Sequence, residues 1–173
     1  MISLKPEQDE ESMARIRENR FSDPVMLVAS GLGIGWVSPA PGTLASLAAG
    51  VLYWLLVSPA SYMVQIAITV MVCLLALLVL ELFVRKYGYI DARQVVIDEI
   101  AGITIALLLL PQVYWVYVLA FVLFRVFDIW KPFPIGWIDK SLKSGLGILL
   151  DDLVAGGMAC VIAYAIWKIV VDT

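Results

Sequence analysis

The chain alternates long apolar runs with short polar interruptions. Residues 1–23 are polar and carry both signs of charge, from Lys5 and Glu7 to Arg15, Arg17, Glu18 and Arg20. Met13, Ile16 and Phe21 give them only a weak apolar stripe, which predicts a solvated tail or a short surface helix. Pro24 opens an apolar piece, Val25–Trp36, too short for a bilayer that needs ~20 residues; it predicts a re-entrant or interfacial element. The stretch Gly31–Ser46 concentrates Gly and Pro, which break helices. Thr43 stands where it would cap the next helix, Leu44 to about Val57. Tyr62–Val84 reads as a full membrane helix with Glu81 near its end. Ala101–Leu110, Val113–Trp130 and Ile148 to about Val171 complete five apolar segments. Pro132 and Pro134 stop the fourth. The expectation is an all-α integral membrane helical bundle of about four to five apolar helices with a re-entrant or interfacial N-terminal element. Residues 1–24 form a polar cytoplasmic tail and 25–173 a single membrane-embedded domain.

Composition strengthens this reading. The chain is 62% hydrophobic and 16% charged, with mean hydropathy +0.93, whereas soluble domains are about 25% charged. The uncharged turns Ser58–Ser61 and Pro111–Gln112 alternate with loops holding Arg85, Lys86, Arg93, Lys131, Lys140 and Lys143. Short loops rich in Lys and Arg stay in the cytoplasm, so the tail lies inside and the five segments thread consistently. The net charge of −3 and the lack of a basic patch with interleaved aromatics exclude a nucleic-acid partner. The polar first two dozen residues predict no cleavable signal peptide. Cys73 and Cys160 lie inside apolar runs and read as buried free thiols.

The threading gathers acidic side chains on one side. Asp98-Glu99, Asp128 and Asp151-Asp152 all stand at cytoplasmic ends of apolar segments, where they would repel each other unless cations intervene. In Phe124–Phe133, Arg125, Asp128 and Lys131 follow at i, i+3 and i+6, near one face if the helix continues. Carboxylate clusters suit hard cations such as Mg²⁺, which takes a few carboxylates plus water and substrate phosphate. Arg125 and Lys131 can neutralise phosphate oxygens. The helix start at Thr43, with Ser46 a turn on, can meet the same anion, or it can be a capped helix that serves packing alone. Asp91 and Asp139 fall in loops and read as solvated. The set points to phosphoryl chemistry at a lipid headgroup.

Histidine is absent, which removes His-activated nucleophiles, phosphohistidine and His metal ligation. Neither cysteine has an Arg six positions on, so a cysteine-phosphatase loop is missing. An Asp-x-Asp-x-Thr/Val run and the spaced Asp pattern of CDP-alcohol phosphotransferases are missing too.

Five stretches carry a resemblance: Gly31-Leu-Gly33; Ser38-Pro-Ala-Pro-Gly-Thr43 with Ser46-Leu-Ala; Val96-Ile-Asp-Glu-Ile-Ala-Gly102; Phe124-Arg-Val-Phe-Asp-Ile-Trp-Lys-Pro-Phe-Pro134; and Gly145-Leu-Gly-Ile-Leu-Leu-Asp-Asp-Leu-Val-Ala-Gly156. In order and spacing they resemble the phosphatidylglycerophosphatase A family of bacterial inner-membrane lipid phosphatases, from about Leu27 to Ala165. Ser144 departs from the pattern, since members often carry Gly there. The resemblance implies Mg²⁺-dependent hydrolysis of phosphatidylglycerophosphate to phosphatidylglycerol and phosphate. It further implies a multi-pass inner-membrane protein whose site faces the cytoplasm. It casts Asp98, Glu99, Asp128, Asp151 and Asp152 as metal-binding or catalytic carboxylates, and Ser38, Thr43, Ser46, Arg125 and Lys131 as substrate-side groups. Two other functions fit an acidic membrane cluster: a noncatalytic lipid-binding subunit, and a small ion carrier, which would need charges deep in the spans. The sequence leaves oligomeric state open.

Overall fold

A computed structural model describes residues 6–37, 39–90 and 92–172, whose regular elements are all helices. The elements are α1 (Pro6–Glu18), α2 (Pro24–Ala29), a 3₁₀ turn (Ile34–Trp36), α3 (Pro41–Leu52, prolonged by a π-turn to Val57), α4 (Tyr62–Tyr87), α5 (Ile97–Leu107), α6 (Tyr114–Trp130), α7 (Ile135–Ser141) and α8 (Gly145–Asp172). Ser38 and Asp91 lie outside the described residues.

Among the described residues, two helices are long and apolar enough to cross a membrane: α4, of 26 residues, and α8, of 28. The other expected segments are shorter. At ~1.5 Å per residue, the 11 residues of α5 span only about half a bilayer core. Leu108 turns extended and Leu109 takes a left-handed conformation just before Pro111, which ends α5 three residues before the expected boundary. α4 exposes Met63, Met71, Leu74 and Leu78, and α8 exposes Val161 and Ile169. Water-facing surfaces rarely carry apolar area on this scale.

Three helix starts differ from the sequence reading. α3 begins at Pro41, whose fixed φ suits the first helical position. Thr43 is therefore inside the first turn and not its cap; Ala40 holds that place without a side-chain bond. α5 begins at Ile97 and takes Asp98 and Glu99 into its first turn. α8 begins at Gly145, where the Ser144 hydroxyl accepts from the Gly147 N–H at 3.1 Å and Glu81 of α4 accepts from the Leu146 N–H at 2.9 Å. The Ser144 departure thus works as a cap, and Asp151 and Asp152 move into the second turn. The polar tail also does more than float. Ile16 is fully buried against the α4 end, and Asp23, capping α2, accepts from the Tyr87 hydroxyl and pairs with Lys86 at 3.0 Å. Burial alone would raise the Asp23 carboxyl, but these hydrogen bonds outweigh it and hold it low.

α5 and α8 cross at the centre, and glycine permits it. A Cβ on Gly156 would lie 2.3 Å from the Gly102 carbonyl oxygen, and one on Gly102 would lie 2.7 Å from the Phe124 ring. Backbone touches backbone, the close approach that small residues allow between apolar helices. Ala101 and Ala155 are fully buried beside the crossing. At the opposite end from the first turns of α5 and α8, the two uncharged turns meet: the Gln112 side-chain amide donates to the Ser58 carbonyl, as does that of Gln65.

Gly156 and its neighbour make a paired test. Gly156→Ala drives a methyl into the Gly102 carbonyl and is expected to destabilise the protein by about 1–3 kcal/mol. Gly157 has open space around it, so Gly157→Ala is expected to be neutral or to stabilise by up to about 1 kcal/mol through helix propensity. Thermal unfolding in detergent measures both, and equal effects at the two positions would contradict the crossing.

Candidate functional site

The crossing sets where the acids go. Asp98 lies four residues before Gly102, and Asp152 four before Gly156, so each carboxylate sits one turn upstream on the contact face of its helix. Asp98-Glu-Ile-Ala-Gly102 and Asp152-Leu-Val-Ala-Gly156 share one pattern, Asp-x-x-Ala-Gly, and the structure packs the two against each other. Carboxylate oxygens of Asp98, Glu99 and Asp152 consequently lie within 4.8 Å of one another.

Around them opens a cleft of about 650 Å³. Asp98, Glu99, Asp128, Asp151, Asp152, Arg125, Lys131 and Thr43 all line it, so the structure gathers eight of the ten residues singled out from sequence. Ser46 stands behind the wall, fully buried, and donates to the Gly42 carbonyl at 2.7 Å. It accepts a long bond, 3.4 Å, from Arg125 Nη1 and so steadies the guanidinium from the rear. Ser38 is the tenth and is outside the described residues.

Two ion pairs line the cleft. Arg125 Nη1 meets Asp128 Oδ2 at 2.7 Å along α6. Lys131 does not continue the α6 face as its spacing predicts. It ends the helix in a left-handed conformation, its N–H donating to the Phe127 carbonyl. Its ammonium then reaches across to Asp151 Oδ2 on α8 at 2.7 Å. The expected convergence is met through a cap and not through a helix stripe.

The sequence reading passed over three contributors. Gly42 brings α3 so near that a Cβ there would lie 1.9 Å from Glu99 Oε1. Arg93 and Tyr89, in the loop between α4 and α5, line the mouth. Only the basic character of that loop signalled Arg93.

The charge balance is unfinished. Five carboxylates line the cleft against three described cations, Arg93, Arg125 and Lys131. Glu99 Oε2 and Arg125 Nε are buried without a hydrogen-bond partner. Asp98 and Glu99 are half-buried and Asp152 is buried, so water does little to screen their mutual repulsion. An all-oxygen donor set of this kind fits a hard divalent cation, with Asp98, Glu99 and Asp152 as the residues to hold it.

The sequence profile described as phosphatidylglycerophosphatase A matches residues 27–167. The chain belongs to the phosphatidylglycerophosphatase A family. It is 38% identical to the Haemophilus influenzae phosphatidylglycerophosphatase A over 83% of this chain and 89% of the relative. With the Escherichia coli phosphatidylglycerophosphatase A it is 32% identical over 95% and 94%. A Bacteroides thetaiotaomicron relative, provisionally named a phosphatidylinositol-3-phosphatase, is 34% identical over 83% and 94%. No solved structure matched the chain. The match takes in both Asp-x-x-Ala-Gly segments and the whole cleft lining.

Proposed function

We propose that this protein hydrolyses phosphatidylglycerophosphate to phosphatidylglycerol and inorganic phosphate, with Mg²⁺, at the cytoplasmic face of a bacterial inner membrane. The observation that carries the reading is the convergence of three carboxylates within 4.8 Å at the floor of a cleft that also presents Arg125 and Lys131. Family membership supports the reaction class, and the names of the Haemophilus and Escherichia relatives support the substrate. Two long apolar helices and the exposed Trp130, Phe133 and Trp137 near the cleft support a membrane setting, since aromatic side chains favour the interface. In that setting the shorter α3, α5 and α6 complete the membrane bundle with α4 and α8.

Asp98, Glu99 and Asp152 would hold the cation. When bound, Mg²⁺ supplies Lewis-acid polarisation of a phosphoryl oxygen and offsets the surplus negative charge. The chain's own groups do the rest. Arg125, fixed between Asp128 and Ser46, presents its guanidinium to the phosphate oxygens, and Lys131, fixed by Asp151, adds a second cation. Glu99 and Arg125 each keep a buried polar atom without a protein partner, which leaves capacity for substrate or water. A cleft carboxylate takes a proton from a water placed in line with the ester bond. The new P–O bond forms as the glycerol oxygen leaves, and that oxygen recovers a proton. The ion-carrier alternative loses ground because the acids close into one cleft at an end of the bundle. A noncatalytic lipid-binding subunit loses ground to family membership.

Detergent-solubilised protein is expected to release phosphate from phosphatidylglycerophosphate with Mg²⁺ and to stop with EDTA. Asp98→Asn, Asp128→Asn and Asp151→Asn are each expected to cost at least ~10²-fold in kcat while unfolding cooperatively as the wild type does. Near-normal rates in all three would refute the site. Phosphatidylinositol 3-phosphate, tested alongside, separates the headgroup suggested by the Bacteroides relative.

A further inference from the structure

Two of the cations lining the cleft are each held by an acid, Arg125 by Asp128 and Lys131 by Asp151. Arg93 is a third lining cation, and among the described residues it makes no ion pair. Its exposure alone would make it an ordinary surface charge. Its backbone argues for more.

Arg93 sits at the tip of a tight turn. The Val95 N–H donates to the Ala92 carbonyl at 2.9 Å, which puts Arg93 and Gln94 at the two corners. The base of the turn is fixed from behind. Ala92 and Val96 are buried, and the Val96 N–H donates at 2.8 Å to the Ala29 carbonyl at the end of α2. A Cβ on Gly35 would lie 2.1 Å from the Gln94 carbonyl oxygen, so the backbone after α2 packs directly against the turn. Upstream, Asp23 holds Lys86 and Tyr87 at the end of α4. The cleft mouth thus presents an unpaired guanidinium from a braced backbone, which lowers the ordering cost of binding an anion there.

The substrate proposed above carries two phosphates. A phosphomonoester stands at its tip, and a three-carbon glycerol joins it to the phosphodiester of the lipid. The carboxylates, Arg125 and Lys131 are set against the first. Depth sorts the lining in the same order: Asp151 and Asp152 are buried, Asp98 and Glu99 half-buried, and Arg93 exposed. A headgroup that enters tip first leaves its diester at the mouth, beside the cation that has no acid. We infer that Arg93 is a specificity-determining residue that binds the phosphodiester of the lipid headgroup. Its planar fork can meet two phosphoryl oxygens at once. The inference rests on the lipid phosphatase reading above and adds how the second phosphate is recognised.

Product inhibition separates the two phosphates. Dihexanoyl phosphatidylglycerol keeps the diester and lacks the monoester, whereas inorganic phosphate probes the monoester position alone. For Arg93→Gln, Ki for dihexanoyl phosphatidylglycerol is expected to rise about tenfold, or ~1.4 kcal/mol, while Ki for inorganic phosphate stays within about twofold. KM for phosphatidylglycerophosphate is expected to rise more than kcat falls, since the diester contact is the same before and during reaction. Arg93→Lys keeps the charge without the fork and is expected to fall between wild type and Arg93→Gln. Arg85→Gln removes an exposed cation outside the cleft lining and is expected to change neither inhibition constant. Both constants rising together, neither rising, or the same rise in Arg85→Gln would each overturn the assignment. So would a wild-type enzyme that dihexanoyl phosphatidylglycerol does not inhibit. A wild-type protein inactive on phosphatidylglycerophosphate would instead overturn the phosphatase reading itself.

Discussion

The site exists because two helices touch without side chains between them. Gly102 and Gly156 let α5 and α8 meet backbone to backbone, and the carboxylates one turn upstream are drawn together by that contact. In the membrane setting proposed above, hydrophobic burial would offer little to hold helices together, because lipid tails are as apolar as leucine. Close van der Waals packing would then supply the cohesion, and glycine gives the closest contact. The same contact brings Asp98, Glu99 and Asp152 to a spacing at which ionised carboxylates repel. Packing energy at the crossing thus holds in place an electrostatic arrangement that would otherwise spread apart, a trade often found at functional sites.

Much of this was legible in the chain. The acidic pairs, Arg125, Asp128 and Lys131 all stood out at junctions between apolar and polar sequence, and the structure puts them in one cleft. The alternation of charged and uncharged turns foretold which ends would meet, and Gln112 bonded to Ser58 ties the uncharged pair. The Asp-x-x-Ala-Gly repeat was visible too, but nothing local says that two glycines 54 positions apart will face each other. Close approach is a tertiary property, and composition does not carry it.

Other features escaped for local reasons. Hydropathy overran helix ends at Leu108–Leu110, since apolar residues there continue through a left-handed turn that only backbone geometry reveals. Thr43 looked like a cap because hydroxyls favour that place, yet the preceding Pro41 fixes the helix start three residues before the expected Leu44. Lys131 reached the site by leaving its helix, where spacing alone would have kept it on the α6 face. The N-terminal segment carried too weak a stripe to announce that Ile16 would be fully buried.

Gly42 and the loop that carries Tyr89 and Arg93 form a wall of the cleft that takes no part in the α5–α8 contact. The acid cluster and this wall are therefore separate building blocks. Substitutions in the loop can reshape the cleft while leaving the crossing undisturbed. A scaffold divided in this way lends itself to divergence among lipids with different polar heads, and the names borne by this chain's relatives already span a glycerol and an inositol.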